Sequence, residues 1–205
     1  MRRKEFTIEE EQELETFLQE MSFGFLGMSH EDGFPRVIPL NFAYGKGVFY
    51  IHGSRAGEKM KLLKQDTRVT FSVAKEYALI PSYFTDAELA CPATAFFKSV
   101  TVRGHAELIT DLEEKADAFS IFMHKLQPEG GYDTIDANDP RYIPQLKGVA
   151  LIKIVPQEWT AKFKFGQNVK GDQRQHIIDG LQERGLDDDL TTIEMMKKYC
   201  PHHQS

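Results

Sequence analysis

The chain has 205 residues, of which 41% are hydrophobic and 27% are charged, and its formal net charge is −6. This composition is typical of a globular protein, and the negative charge argues against nucleic-acid binding by the whole chain, which requires a basic surface. No stretch approaches the ~20 apolar residues of a membrane span, and no apolar core follows the basic N-terminal residues as it would in a signal peptide, so we expect no membrane partner. The two cysteines are far apart in the sequence, which favours a reducing, cytoplasmic compartment.

The first part of the chain predicts one helix and three strands. Thr7 and Glu10 have the spacing of a capping box, and apolar residues at helical intervals follow, which predicts a helix over residues 8–20. The three strands are separated by glycine-containing turns and are expected at residues 23–28, 35–42 and 48–52. Because the connecting turns are short, we expect consecutive strands to pair antiparallel.

The rest of the chain predicts further strands and several helices. In chain order these are a short helix around residues 60–63, a strand at 68–73, an irregular excursion at 75–97, a strand at 99–109, a helix at 112–125 capped by Asp111, a loop at 127–147, strands at 149–155 and 159–165, a helix from about 173 that ends at Gly185, and a last helix at 191–199.

No internal repeat or linker divides these elements, so we expect one domain over residues 1–205 with an N-terminal helix and a C-terminal helical tail. Hairpin strands that outnumber the helices predict a mainly β fold of the α+β kind, namely an antiparallel barrel with flanking helices.

The segment at residues 51–59, IHGSRAGEK, has the composition of a phosphate site. A phosphate needs hydrogen-bond donors, positive charge and close approach of the backbone. Ser54 offers a hydroxyl, Gly53 and Gly57 permit a tight backbone, and Arg55 and Lys59 offer charge. A basic turn that caps a helix has the same residues, and the segment alone does not separate the two interpretations.

The strand at 99–109 carries a second group of residues that suits an anion. In an alternating strand Ser99, Thr101 and Arg103 share one face, whereas Lys98 points to the other. A hydroxyl and a guanidinium on one face could meet part of an anionic ligand. A half-solvated strand is the ordinary alternative, and the segment taken alone favours it.

A third group lies near the end of the predicted barrel. Residues 162–165 alternate Lys and Phe, and Gln167 and Asn168 follow, so a flat ring could stack beside amide donors. An amphipathic edge strand is the ordinary alternative. Trp159, the single tryptophan, suits a core or a dimer interface better than a ligand stack.

Several other site classes lack their motifs. The segment at 51–59 does not have the spacing of a P-loop, and no G-x-G-x-x-G element opens a helix after a strand, which argues against a Rossmann nucleotide site. The histidines show no metal-ligand spacing, and Cys91 and Cys200 predict neither a disulfide framework nor a zinc site. We therefore expect no metal.

The order of the motifs resembles the flavin-binding split-barrel superfamily that includes pyridoxamine 5′-phosphate oxidases, closest to the branch of the nitroimidazole-resistance proteins. The motifs that carry the resemblance are D-G-x-P, V-I-P-L, F-Y-I-H-G-S-x-x-G-x-K, R-V-x-F-S-V and F-x-S-V-x-V-x-G, between about Phe23 and Phe165. The resemblance implies an antiparallel split β-barrel homodimer that binds FMN in the groove between its subunits.

The same resemblance implies a set of cofactor-binding residues. Those around the FMN phosphate are His52, Ser54, Arg55 and Lys59. Those along the isoalloxazine ring are Pro39, Leu40 and Asn41. Lys98 and Ser99 would flank the phosphate or the ring, and Gln167 and Asn168 would reach the cofactor that the partner subunit mainly holds, with Trp159 near that interface.

The resemblance implies a flavin-dependent oxidoreductase. Because the flavin carries the chemistry, no catalytic side chain is assigned. The expected substrate is a small nitroaromatic molecule, reduced with electrons from a nicotinamide donor. The full arginine and lysine set of a true pyridoxamine-phosphate oxidase is missing, which argues against vitamin B6 synthesis. The alternatives are a non-enzymatic flavin or haem binder, with His52, His105 or His124 as the axial ligand of a haem, a deazaflavin protein on the same barrel, and a barrel without a ligand.

Overall fold

The computed structural model describes residues 10–200 of the chain. Thr7, one half of the predicted capping box, lies outside the described residues. The elements are α1 (Glu11–Glu20), β1 (Phe23–Met28), β2 (Arg36–Asn41), β3 (Ala43–Gly45), β4 (Val48–Gly53), α2 (Glu58–Gln65), β5 (Arg68–Ile80), a 3₁₀ turn (Ser82–Phe84), β6 (Thr94–Ile109), α3 (Leu112–Leu126), α4 (Ile143–Gly148), β7 (Ala150–Lys164), α5 (Gly171–Arg184) and α6 (Asp189–Lys198). Within the described residues, no helix combines the length and the apolar character that a membrane crossing needs.

Seven strands form one sheet in the order β2-β1-β5-β6-β7-β4-β3. The pairs of β1 with β2 and β5, and of β4 with β3 and β7, are antiparallel. β2 also contacts β4 although the two strands lie toward opposite ends of this order, so the strands surround a core without closing into a full barrel. The predicted fold, a mainly β, α+β split barrel with flanking helices, is confirmed.

The chain divides into two compact units. In the described residues, the barrel unit comprises residues 10–73 and 101–159, and the tail unit comprises residues 74–100 and 160–200. Part of the core of the barrel unit is Ala43, Tyr50, Ile109, Ala118, Phe122 and Leu151. Buried side chains of the tail unit include Phe96, Phe163, Phe165, Ile177, Leu181 and Met196. The expectation of one domain over the whole chain stays a prediction.

The pairing of the early strands differs in one respect from the prediction. β1 pairs with β2 as expected, with Phe25 opposite Pro39, but β4 pairs with β3 and not with β2, so the second predicted hairpin is wrong. The chain leaves the strand at Phe42, whose ring is buried. Lys46 and Gly47 then have φ values of 54° and 76°, which is the geometry of a two-residue hairpin turn, and this turn pairs Ala43–Gly45 with Val48–Tyr50.

Three long strands run further than their sequence signals indicate. β5 extends to Ile80 and β6 begins at Thr94, so the irregular excursion predicted at 75–97 is confined to residues 81–93. β7 is one strand where two were expected. Gly104 permits a close contact between β6 and β7, because a Cβ atom there would lie 2.1 Å from the Val155 carbonyl oxygen, and only a glycine lets the backbone of β7 lie this close.

The helices follow their capping signals more closely. The carboxylate of Asp111 accepts a hydrogen bond from the Glu114 amide at 2.8 Å and starts α3 as predicted. Gly185 has a φ of 63° and ends α5 as predicted. α4 was not predicted, and most of it falls in the loop predicted at 127–147. The helix has six residues and buries one side chain, Leu146, so its sequence shows no helical repeat of apolar residues.

Candidate functional site

The segment between β4 and α2 folds into a tight turn. The Ser54 hydroxyl oxygen accepts a hydrogen bond from the Ala56 amide at 3.1 Å. Gly57 follows with a φ of 115°, a conformation that favours glycine, and it occupies the N-cap of α2 without a side chain to cap the helix. The first turn of α2 therefore presents its amide groups and the positive end of its dipole beside this turn.

Lys59 brings a positive charge to the same place. Its ammonium is half buried, and a Cβ atom on Gly53 would lie 3.0 Å from its Nζ atom. Within residues 10–200 it has no hydrogen-bond or ion-pair partner. Burial lowers the pKa of Lys59 below its usual value. A cation that is partly desolvated and unpaired suits an anionic ligand.

The neighbouring carboxylate does not cancel this charge. Glu58 precedes Lys59, and its Oε1 atom accepts a hydrogen bond from the Arg36 Nε atom at 2.9 Å. Arg36 also donates to Asp32 at 3.0 Å. The acidic side chains next to α2 are thus already paired with a cation on β2.

His52 contributes a neutral group to the site. Its ring packs against the rings of Phe119 and Phe122, with centroid distances of 5.8 and 5.0 Å. Desolvation, followed by the charge of Lys59, lowers the pKa of His52. The lowered pKa favours the uncharged imidazole near neutral pH, and this form donates a hydrogen bond from one ring nitrogen and accepts one at the other.

Arg55 is engaged elsewhere in the barrel unit. Its Nη1 atom donates to the Lys147 carbonyl at 2.6 Å. Lys115 donates to the carbonyls of Leu146 and Val149, at 2.7 and 2.8 Å. Two cations thus cap the C-terminal end of α4, and Arg55 fixes the turn to this end.

The predicted residues on β2 lie on an edge strand. Pro39 and Asn41 are exposed and Leu40 is half buried, and a proline is tolerated at an edge because it lacks an amide hydrogen. Asn41 donates from Nδ2 to the Ser22 carbonyl at 3.0 Å. The free edge of β2 leaves backbone groups available to a ligand.

The other predicted residues belong to the tail unit. Lys98 is 9% exposed, with its ammonium 5.0 Å from the centroid of the Phe163 ring and 5.4 Å from that of Tyr77. Ser99 is half buried. Gln167 accepts from the Phe165 amide and donates to the Phe163 carbonyl, each at 2.7 Å, so its amide is used at the end of β7. Asn168 is exposed.

The barrel unit also contains a groove of about 730 Å³ that none of the predicted cofactor residues lines. It is named the Arg68–Arg103 groove, and its lining includes Phe25, Val37, Arg68, Arg103, His105 and Glu158. The sequence predicted one part of this groove, namely the face of the strand at 99–109 that carries Arg103. Its other walls come from β1, β2, β5 and β7, whose arrangement the sequence pattern does not reveal.

Comparisons with known proteins agree with this architecture. The profile of the pyridoxamine 5′-phosphate oxidase family matches residues 10–163. No curated protein matches the chain. Among solved structures, a candidate 5-nitroimidazole antibiotic resistance protein from Bacteroides thetaiotaomicron is 25% identical with a TM-score of 0.60, and the match covers 76% of this chain and 85% of that one.

Two other solved structures share the fold at lower identity. The flavocytochrome Anf3 from Azotobacter vinelandii is 23% identical with a TM-score of 0.64, and the match covers 78% of this chain and 69% of that one. An FAD and haem binding protein from Mycobacterium smegmatis is 16% identical with a TM-score of 0.65, and the match covers 82% of this chain and 78% of that one.

Proposed function

The chain belongs to the pyridoxamine 5′-phosphate oxidase family, and we propose that it is a flavoprotein that binds FMN and acts as an oxidoreductase on a small-molecule substrate. The observation that carries the proposal is the ammonium of Lys59, half buried beside the N-terminus of α2 and unpaired throughout the part of the chain that the structure describes. A phosphate monoester is the group that such a site suits best.

The residues present fit the phosphate of FMN. Lys59 supplies charge, the first turn of α2 supplies amide donors, and Gly53 leaves room for the ammonium. The Ser54 oxygen accepts from the Ala56 amide, so its hydroxyl hydrogen is still available to donate. Neutral His52 adds one hydrogen bond without adding charge.

The ring of the flavin would lie along β2. Residues 39–41, Pro39, Leu40 and Asn41, belong to this strand, and those of their backbone groups that point away from β1 can hydrogen-bond the polar edge of an isoalloxazine ring. A bound flavin would supply hydride or electron transfer. The residues of this chain bind and orient the cofactor, and Arg55 holds the phosphate turn in place through Lys147.

We extend the proposal to the tail-unit residues and to a homodimer. In the proposed dimer, Lys98 and Ser99 would flank the phosphate or the ring. Gln167 and Asn168 would reach the cofactor that the partner subunit mainly holds, with the exposed amide of Asn168 as the donor. Exposed apolar side chains, such as Phe23, Leu79, Tyr83 and Leu190, support a second copy, because burying apolar surface favours association. A nitroaromatic substrate and a nicotinamide electron donor complete the proposal.

The test is an absorption spectrum of the freshly purified protein, followed by chromatography of the supernatant after heat denaturation. We expect flavin bands and released FMN. The proposal would be refuted if the protein is colourless and takes up no FMN that is added at a saturating concentration. Release of a deazaflavin in place of FMN would replace the cofactor while keeping the site.

A haem binder is a second candidate, favoured by one observation. His52 is a neutral imidazole at the edge of the proposed cofactor site, and neutral imidazole is the form that ligates a haem iron. Titration with haemin should then give a Soret band that His52→Ala shifts. An unchanged spectrum in His52→Ala, His105→Ala and His124→Ala would exclude haem ligation by these residues.

A further inference from the structure

The Arg68–Arg103 groove has one apolar wall. Phe25 on β1 and Val37 on β2 line it and are 48% and 60% exposed. The register of β1 and β2 places Val37 opposite Gly27 and Phe25 opposite Pro39. Because alternate residues of a strand share a face, Phe25, Val37 and Pro39 lie on one face of this strand pair. A flat apolar ring could lie against this wall.

The groove also contains two guanidinium groups, each of them paired with a carboxylate. Arg68 uses Nε and Nη2 for Asp66, and Arg103 uses Nη1 for Glu158 at 2.9 Å. His105 shares a hydrogen bond between its Nδ1 atom and the Thr67 hydroxyl at 3.0 Å.

Several donors at these residues remain unused. In the described part of the chain, Nη1 of Arg68 and Nε and Nη2 of Arg103 have no partner. Nε2 of His105 has none either, and it is a donor in the tautomer whose Nδ1 atom accepts from Thr67. Glu158 is the acidic residue that lines the groove, and it is already paired with Arg103. Each guanidinium is thus paired with one carboxylate, Arg68 with Asp66 and Arg103 with Glu158, and the donors that these pairs leave unused are the groups that can bind an oxyanion.

We propose that this groove is the substrate site and that it takes a planar aromatic molecule bearing an oxyanion, such as an aromatic carboxylate. The ring lies against Phe25 and Val37, and the oxyanion lies between Arg68, Arg103 and His105. A guanidinium is well suited to a planar carboxylate because it offers two parallel donors. The volume of about 730 Å³ falls within the roughly 300–1,000 Å³ of ligand pockets.

The assignment of the Arg68–Arg103 groove as the substrate site rests on the proposed function. Val37, which lines the groove, and Pro39, which we assign to the flavin ring, are two residues apart on one face of β2. The ring of a ligand in the groove would therefore be a neighbour of the proposed flavin ring. The preference for an aromatic oxyanion rests on the groove alone.

The experiment compares 4-nitrobenzoate with nitrobenzene by isothermal titration calorimetry on the full chain at constant ionic strength. The two molecules share the ring and the nitro group and differ in the carboxylate. We expect 4-nitrobenzoate to bind at least about tenfold more tightly, the effect of a charge-assisted hydrogen bond. Equal affinities, or no binding of 4-nitrobenzoate because a second copy covers the groove, would overturn the proposal.

Matched variants distinguish binding in the groove from a general effect of the protein's net charge. Arg103→Gln should abolish most of the preference for the carboxylate, whereas Glu158→Gln, which leaves Arg103 unpaired, should increase it. Lys61→Gln, on exposed α2 surface, removes the same charge as Arg103→Gln and should leave the preference intact. Because Arg103 and Glu158 are both exposed, neither change threatens the fold, and thermal unfolding checks this. An equal loss in Lys61→Gln and Arg103→Gln would overturn the site.

The flavin band separates this inference from the proposed function. If 4-nitrobenzoate binds and shifts the absorption of bound flavin, the groove is the substrate site. If 4-nitrobenzoate binds, Arg103→Gln weakens this binding and the flavin absorption does not change, the groove is confirmed as a site for aromatic oxyanions. Its role as the substrate site is then overturned. If the protein takes up no FMN at all, the proposed function fails, and calorimetry still decides the groove.

Discussion

The Nζ atom of Lys59 lies 3.0 Å from the position that a Cβ atom on Gly53 would occupy. Gly53 ends β4 and Lys59 lies in the first turn of α2, so the absence of a side chain at one position makes room for a charge at the other. Arg55, between them in sequence, points to a different element and caps α4. The turn therefore contains two cations with different roles: Arg55 fixes the fold, and Lys59 is proposed to bind the phosphate of the ligand.

Lys59→Ala should weaken FMN binding by about 1.5–3 kcal/mol, the range for a hydrogen bond to a charged group. Riboflavin, which lacks the phosphate, should bind the variant and the wild type equally. Fluorescence quenching titrations with both flavins measure the difference. Lys61→Ala, an exposed lysine on the same helix, is the control. A loss of FMN affinity that riboflavin shares would mean that Lys59 does not contact the phosphate.

The lowered pKa of His52 predicts a specific loss of stability in acid. Above about pH 6.5 the imidazole is neutral in the folded and the unfolded chain. As the pH falls through this value, the unfolded chain binds the proton first, so unfolding becomes more favourable until the pH is below the folded pKa. His52→Gln should therefore lose less stability than the wild type between about pH 7.5 and 5.

Urea unfolding at several pH values measures this difference. His176→Gln changes an exposed histidine of α5 and should reproduce the pH dependence of the wild type. A steeper acid loss in His52→Gln than in the wild type would show that the folded protein favours the imidazolium, contrary to the lowered pKa.

Local signals predicted the elements that local interactions determine. β1 begins and ends at the predicted residues, Asp111 caps α3, and Gly185 ends α5. The lengths of β5, β6 and β7 were underestimated, because the ends of a long strand depend on its neighbours in the sheet. Gly104 is a second feature that depends on a neighbouring strand, because the absence of its side chain accommodates Val155 on β7.

The site was less predictable for the same reason. The sequence predicted a candidate phosphate site in the segment that carries His52 and Lys59, because the residues of a turn between a strand and a helix are adjacent, and this assignment stays a prediction. It could not reveal that Arg55 donates to Lys147, which is 92 positions away in the chain. The Arg68–Arg103 groove has walls from separate strands, and only the exposed face of β6 gave a signal for it.

Gly104→Ala should destabilise the protein by at least about 1–3 kcal/mol, the usual cost of forcing extra volume into a packed region. The added Cβ atom would lie 2.1 Å from the Val155 carbonyl oxygen and 3.1 Å from the Pro156 Cα atom. Both are backbone atoms of β7, which cannot move by a change of rotamer. Thermal and urea unfolding measure the loss. Gly148→Ala, where a Cβ would meet nothing within 4 Å, should be neutral or slightly stabilising.

Dilution should release the cofactor if the partner subunit completes the site. In the proposed homodimer, tail-unit residues such as Asn168 contact the FMN of the other subunit, so a monomer holds the cofactor through Lys59 and its neighbours alone. Because dimer dissociation depends on concentration, the fraction of bound FMN should fall together with the fraction of dimer.

Analytical ultracentrifugation with detection at the flavin absorption and at the protein absorption follows both quantities in one experiment. Asn168→Ala should weaken FMN binding in the dimer while leaving the monomer–dimer equilibrium unchanged, because its side chain is exposed and contributes little apolar area. FMN that stays bound to a sedimenting monomer would show that one subunit forms the whole site, and Asn168 and Gln167 would then have no role in holding the cofactor.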